Sequence, residues 1–115
     1  MNREEFCKLL EGPAALEKAI RANDRIFVLF YASWCPFSRA FLPEYLDQAG
    51  AGGPGYVRIL SDNMDPHVER YQIDVFPTVL YFEKGKVVRR LDGEHLAGLS
   101  RQALKKFVGE CVPAK

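Results

Sequence analysis

The chain has 115 residues, of which 48% are hydrophobic, and its formal net charge is +1. This length and composition suit one globular domain, expected to span residues 1–115. A charge this close to zero argues against a nucleic-acid-binding surface, and no apolar run reaches the roughly 20 residues of a membrane helix. Residues 1–5 do not resemble a signal peptide. The compartment is therefore not predicted. The chain is expected to be either cytoplasmic or a lumenal domain of a longer protein.

The N-terminal region is predicted to be helical over residues 3–22, in two pieces. Phe6, Leu9 and Leu10 form the apolar face of the first piece, and Gly12-Pro13 separates it from the second. The residues Arg25–Tyr31 are nearly all apolar, which is typical of a central strand that is covered on both faces.

The following elements alternate between helix and strand before ending in a hairpin and a helix. They are a helix over Cys35–Gln48 with Pro43 inside it, a strand over Tyr56–Leu60, a short helix from an Asp65 N-cap to about Tyr71, strands over Thr78–Phe82 and Lys86–Leu91, and a last helix capped by Ser100. A strand–helix–strand unit implies parallel pairing, and a hairpin implies antiparallel pairing. The pattern therefore predicts an α/β fold with a mixed sheet.

Cys35 has the position that matters most for chemistry, because it follows a buried strand directly and begins a helix. The first N–H groups of a helix and the helix dipole favour an anion, here a thiolate, which is the nucleophilic form of the sulfur. The two other cysteines, Cys7 and Cys111, are interpreted as buried or half-buried apolar residues. Three widely spaced cysteines predict neither a disulfide framework nor a metal site.

The segment from Phe30 to Ser38, Phe-Tyr-Ala-Ser-Trp-Cys-Pro-Phe-Ser, resembles the active-site segment of the thioredoxin and protein disulfide isomerase superfamily. Pro43, Phe76-Pro77-Thr78, Gly85 and Gly93 extend the resemblance. It implies a thioredoxin fold, with a four-stranded mixed sheet in the order 2-1-3-4, counted along the chain, flanked by four helices. The additional N-terminal strand of the family has no counterpart among the predicted elements.

The resemblance also implies a set of substrate-binding residues. Pro77 would follow a cis peptide bond and pack against the sulfur, and the backbone of Phe76 would receive an extended substrate, as an added strand does. Trp34, Pro36 and Phe37 would join Phe76 in an exposed apolar patch, and Gly93 would let a substrate backbone approach. Read from the residues alone, Pro77 begins a strand, Trp34 and Phe37 belong to the core, and Gly93 is a turn glycine.

The family motif is Cys-x-x-Cys, whereas this chain has Cys-x-x-Ser. Ser38 can donate a hydrogen bond to the Cys35 thiolate, but it cannot attack a mixed disulfide, because exchange requires a thiolate. Dithiol members usually bury an acid beneath the resolving cysteine, and this chain has Leu29 there. These departures favour a natural monothiol protein with Cys35 and Ser38 as catalytic residues, over an engineered variant in which Ser38 replaced a cysteine.

The expected function is monothiol thiol–disulfide exchange, in which Cys35 forms mixed disulfides with polypeptide clients or glutathione. No cofactor, metal or nucleic acid is expected, and the chain is expected to be a monomer. One alternative is a non-catalytic module that binds polypeptides through the same patch. Another is a glutaredoxin that shares an iron–sulfur cluster, although Pro36 departs from its Cys-Gly-Phe-Ser motif. His67 and His95 have no partner at readable spacing and are expected to be solvated.

Overall fold

The computed structural model describes residues 6–52, 54–63, 65–95 and 97–112. Within these ranges the chain forms five strands and four helices. In chain order they are β1 (Cys7–Leu10), α1 (Pro13–Ala22), β2 (Arg25–Tyr31), α2 (Pro36–Gly50), β3 (Gly55–Leu60), α3 (Pro66–Arg70), β4 (Thr78–Glu83), β5 (Lys86–Asp92) and α4 (Arg101–Cys111). None of the helices in these ranges is long and apolar enough to cross a membrane.

The strands form one mixed sheet in the order β1-β3-β2-β4-β5. Strand β3 is parallel to both β1 and β2, whereas β4 is antiparallel to β2 and β5. The order of the last four strands confirms the expectation from the sequence. The sheet nevertheless has five strands rather than four, because the N-terminal strand is present.

The prediction of a helix at the N-terminus is wrong over Cys7–Leu10, which forms strand β1. Residues 3–5 of that predicted helix lie outside the described residues. Strand β1 pairs with β3 from Cys7↔Tyr56 to Leu10↔Ile59, and Cys7 and Leu10 are buried in different core clusters. A segment this short does not distinguish the helical from the extended period, so pairing with a distant strand decides its conformation.

Strand β2 divides the core into two layers, because successive side chains of a strand point to opposite faces of the sheet. One layer contains apolar side chains of α2 and α4, and the other contains those of α1 and the region of α3. The side chains that β2 contributes are Phe27, Leu29 and Tyr31 to the first layer, and Ile26, Val28 and Phe30 to the second. This two-sided burial explains the continuous apolar run in the sequence.

The structure confirms the predicted cap of α4 and the hairpin turn between β4 and β5, but not a side-chain cap at Asp65. The Ser100 hydroxyl oxygen accepts a hydrogen bond of 3.1 Å from the Ala103 N–H, which confirms the predicted cap of α4. Lys84 and Gly85 both have positive φ, as a two-residue hairpin loop requires. Asp65 has the N-cap position of α3, but its side chain makes no capping hydrogen bond.

The two central strands bring two loops to the same edge of the sheet. Strand β2 ends at Tyr31, and β4 begins at Thr78, which pairs with Phe30. Because these strands are antiparallel, the loop after β2, which holds Cys35, lies beside the loop before β4, which holds Pro77. The candidate functional site is at this edge.

Candidate functional site

Cys35 is the N-cap residue of α2, with Pro36 at the first helical position. Its N–H donates to the Ala32 carbonyl at 3.2 Å, and its own carbonyl accepts from the Arg39 N–H at 3.0 Å, so the backbone around the sulfur is held from both sides. Cys35 is only 7% exposed. The sulfur therefore lies where the dipole of a long helix favours negative charge, on a residue of which only a small part faces solvent.

The loop before β4 contacts the sulfur. The Phe76–Pro77 peptide bond is cis, and the Cys35 thiol donates to the Phe76 carbonyl over a distance of 3.9 Å. The Trp34 ring lies edge-on to the Phe76 ring, with 6.1 Å between the ring centroids. Residues that are far apart in the sequence thus form one wall beside the reactive atom.

An open groove of about 330 Å³ lies beside Cys35, which forms part of its lining. Its lining residues are Trp34, Cys35, Phe37, Asp74, Val75, Phe76, Glu94 and His95. Trp34 is 60% exposed, so its indole is available to a ligand. Phe37 is half-buried, and a Cβ built on Gly98 would lie 2.8 Å from its Cβ, which shows how closely the loop after β5 packs on it. Phe37 therefore belongs partly to the groove and partly to the packing beneath it.

The loop that leads into Cys35 is held by a carboxylate that the sequence did not assign to the site. Asp62 accepts hydrogen bonds from the Ser33 N–H at 2.7 Å and from the Ser33 hydroxyl at 2.6 Å. Arg39 donates to the Ser33 carbonyl at 3.1 Å. The sequence offered no signal for these contacts, because Asp62 lies after a different strand and resembles an ordinary turn residue.

Ser38 has the place that a resolving cysteine has in dithiol relatives, and it is fully buried. Its hydroxyl oxygen accepts a hydrogen bond from the Ala32 N–H at 3.2 Å, which ties the start of α2 to the end of β2. Donation of its proton to a Cys35 thiolate stays a prediction. Leu29 is also fully buried and belongs to the apolar layer shared with α2 and α4.

Gly93 packs closely against the loop of Pro77, and its role in the approach of a substrate backbone stays a prediction. A Cβ built on Gly93 would lie 2.4 Å from the Pro77 carbonyl oxygen, closer than any real Cβ contact. The Gly93 N–H also donates to the Thr78 hydroxyl at 3.4 Å. Gly93 thus allows the end of β5 to pack directly against the loop of Pro77.

The expectation that His67 is solvated is wrong, because this side chain is only 2% exposed. Its Nε2 lies 2.9 Å from the Ser61 hydroxyl, and among the described residues its Nδ1 has no hydrogen-bond partner. Burial lowers the pKa of His67 below its usual value. His67 lies in a helix of only five residues, and its ring packs against that of Phe30, with 5.8 Å between the ring centroids. His95 is exposed, as expected.

The two other cysteines differ from Cys35 in their surroundings, because neither lies at the start of a helix. Cys7 is fully buried in β1, and Cys111 is half-buried at the end of α4. Burial raises the pKa of the Cys111 thiol to about 11, which keeps it protonated near neutral pH. The described residues contain no group of three or more side chains that could hold a metal ion.

The fold and the cysteine at the start of α2 define a thioredoxin-like protein, and comparisons with known proteins agree. A family model described as Thioredoxin matches residues 9–110. Protein disulfide isomerase-like 5-2 of Oryza sativa subsp. japonica is 34% identical over 105 residues, which cover 86% of this chain and 24% of the rice protein. A thioredoxin domain-containing protein of Theileria parva is 36% identical over an alignment of 120 positions, gaps included, that covers 98% of this chain and 52% of that protein.

Among solved structures, the thioredoxin of Plasmodium falciparum superposes with a TM-score of 0.78 at 21% identity, covering 90% of this chain and 97% of that one. The chain belongs to the thioredoxin family, a family of thiol–disulfide oxidoreductases. It spans about a quarter of the length of the rice relative and about half of the Theileria relative.

Proposed function

We propose that this protein is a monothiol thiol–disulfide exchange protein with Cys35 as its nucleophile. The observation that carries the proposal is the environment of Cys35, which caps α2, contacts the Phe76 carbonyl and has Ser38 where a second thiol would be. The Cys35 thiolate attacks one sulfur of a client disulfide. A bond forms between Cys35 and that sulfur, the client disulfide breaks, and the other client sulfur leaves as a thiolate.

Release of the client requires a thiol from outside the site. Ser38 cannot perform this step, because an alkoxide is not available near neutral pH and a hydroxyl is not a nucleophile toward sulfur. A thiolate of glutathione or of the client attacks the mixed disulfide, takes the client sulfur and returns Cys35 to its thiolate. With a second client thiol the result is isomerisation. With one glutathione the client leaves with one sulfur as a free thiol and the other as a mixed disulfide with glutathione.

The geometry around the sulfur supports a polypeptide client. Trp34 and the half-buried Phe76 form an apolar wall beside Cys35, and apolar walls of this kind recognise peptide side chains. An extended client segment beside Phe76 would use backbone hydrogen bonds in the manner of an added strand. We therefore expect peptides to react faster than small disulfides of equal intrinsic reactivity.

The proposal is tested by intact-mass spectrometry of the reduced protein after incubation with a peptide disulfide and with oxidised glutathione. We expect one adduct per chain, located at Cys35 by peptide mapping and removed by added reduced glutathione. The variant Cys111→Ser is the matched control and should form the same adduct, whereas Cys35→Ser should form none. An adduct that persists in Cys35→Ser, or its absence in the wild type, would overturn the proposal.

The exposed indole of Trp34 also favours a second candidate, a module that binds polypeptides without exchange. In this case a Cys35→Ala variant would bind an unmodified peptide as tightly as the wild type does, and neither protein would form an adduct. Isothermal titration of both proteins with a peptide that contains serine in place of its cysteine separates binding from covalent capture.

A further inference from the structure

Two carboxylates line the groove beside the sulfur, and no lysine or arginine does. Asp74 comes from the loop before β4 and Glu94 from the loop after β5, and both line the same groove as Cys35. Both side chains are exposed. Among the described residues neither carboxylate forms an ion pair.

The two carboxylates are carried by loops that the structure holds in place. Beside Asp74, the buried Ile73 donates its N–H to the Val68 carbonyl at 2.8 Å. On the other loop, the Glu94 N–H donates to the Gly98 carbonyl at 3.0 Å, and the Gly98 N–H donates back to the Glu94 carbonyl at 2.8 Å. These hydrogen bonds hold the backbone that carries the two carboxylates at the groove.

The cation of α2, Arg39, forms no ion pair with either carboxylate. Arg39 donates to the Ser33 carbonyl and is not one of the lining residues. The exposed Trp34 ring also favours a positively charged ligand, because the face of an indole attracts ammonium and guanidinium groups.

We propose that Asp74 and Glu94 make the site selective for cationic polypeptide clients, in which lysine or arginine flanks the reacting cysteine. This inference rests on the proposed function and specifies its substrate class. A basic flank gains from both carboxylates and from the indole, whereas an acidic flank is repelled. Glutathione, which has two carboxylates and one ammonium group, is a disfavoured partner for the first step.

Coulomb's law sets the expected size of the effect. We take a client whose charged side chain lies roughly 8 Å from both carboxylates in water, where about 0.01 M salt screens the interaction only weakly. Such a client should react about tenfold faster when its charge is positive than when it is negative. At about 1 M salt the Debye length is roughly 3 Å, so this difference should disappear.

The test uses three synthetic peptides that carry a single cysteine as a 2-thiopyridyl mixed disulfide and differ only in its flanks, which are lysine, glutamine or glutamate. Attack by Cys35 joins its sulfur to the peptide and releases pyridine-2-thione, which is followed by absorbance. We expect the rates in the wild type to fall from lysine to glutamine to glutamate, with about tenfold between the extremes at low salt.

The informative variant is Asp74→Asn combined with Glu94→Gln, in which the lysine-to-glutamate ratio should fall to about twofold or less. The matched control combines Glu11→Gln with Glu110→Gln, which removes the same charge from exposed residues outside the groove and should keep the full ratio. Equal rates for the three peptides in the wild type, or an unchanged ratio in the groove variant, would overturn the selectivity. If no peptide releases the thione, or if Cys35→Ser releases it as fast as the wild type, the proposed exchange function fails and the selectivity fails with it.

Discussion

The contact between Gly93 and the loop of Pro77 predicts that Gly93→Ala is strongly destabilising. The new Cβ would lie 2.4 Å from the Pro77 carbonyl oxygen and 3.5 Å from the carbonyl carbons of Phe76 and Pro77. An ordinary contact begins near about 3.4 Å, so one of two backbone segments must move by about 1 Å. Both are backbone rather than flexible side chain, and overpacking of this kind costs about 1–3 kcal/mol.

The assay is urea unfolding of Gly93→Ala and of Gly109→Ala, which is the matched control. Gly109 lies in α4 with nothing within 4 Å of its added Cβ. Alanine should therefore be neutral there or stabilise by about 0.5–1 kcal/mol, because glycine is unfavourable inside a helix. For Gly93→Ala we expect a loss of about 1–3 kcal/mol, or a decrease in melting temperature of about 5–20 °C. A Gly93→Ala protein as stable as the wild type would refute the packing argument.

Three further predictions follow from the described contacts. Asp62→Ala removes both hydrogen bonds to the loop before Cys35 and should lower the free energy of unfolding in urea by about 1 kcal/mol. Asp65→Ala removes no capping hydrogen bond and should change it by less than about 0.5 kcal/mol. Equal effects of the two variants would contradict a stabilising role for the Asp62 hydrogen bonds. Because burial lowers the pKa of His67, the folded state resists its protonation, so stability should decrease as the pH falls below about 6.5, and it should decrease less in His67→Gln. The raised pKa of Cys111 predicts that iodoacetamide at pH 8 modifies Cys35 first in the native protein, and mass spectra showing Cys111 alkylated at the same rate would contradict that raised pKa.

Much of the fold could be predicted because its signals are local. The apolar run of β2 predicts a central strand that is buried on both faces. The cysteine between that strand and a helical pattern marks the start of α2. Gly12-Pro13 and Ser100 mark helix starts through their own backbone preferences, and the structure places α1 and α4 directly after them. The position of Pro77 beside Cys35 is expected only from the family resemblance, because it depends on the antiparallel pairing of β2 with the distant strand β4.

The features that could not be predicted depend on contacts between distant parts of the chain. Strand β1 has too few residues to show a period, and its conformation comes from pairing with β3. His67 reads as a surface residue of a short helix, and its burial depends on packing against Phe30. Asp74 and Glu94 belong to different loops, so only the folded chain shows that both face the groove of Cys35.

The most direct test of the central claim is the lifetime of a mixed disulfide between Cys35 and a peptide after all free thiol has been removed. The wild type and Ser38→Cys are loaded with the same peptide, desalted and followed by intact mass. A monothiol site predicts that the wild-type adduct persists until glutathione is added, whereas Ser38→Cys expels the peptide and closes a disulfide between Cys35 and the introduced thiol. Release of the peptide from the wild type at the rate seen for Ser38→Cys would show that the chain resolves its own mixed disulfide, and it would contradict the account.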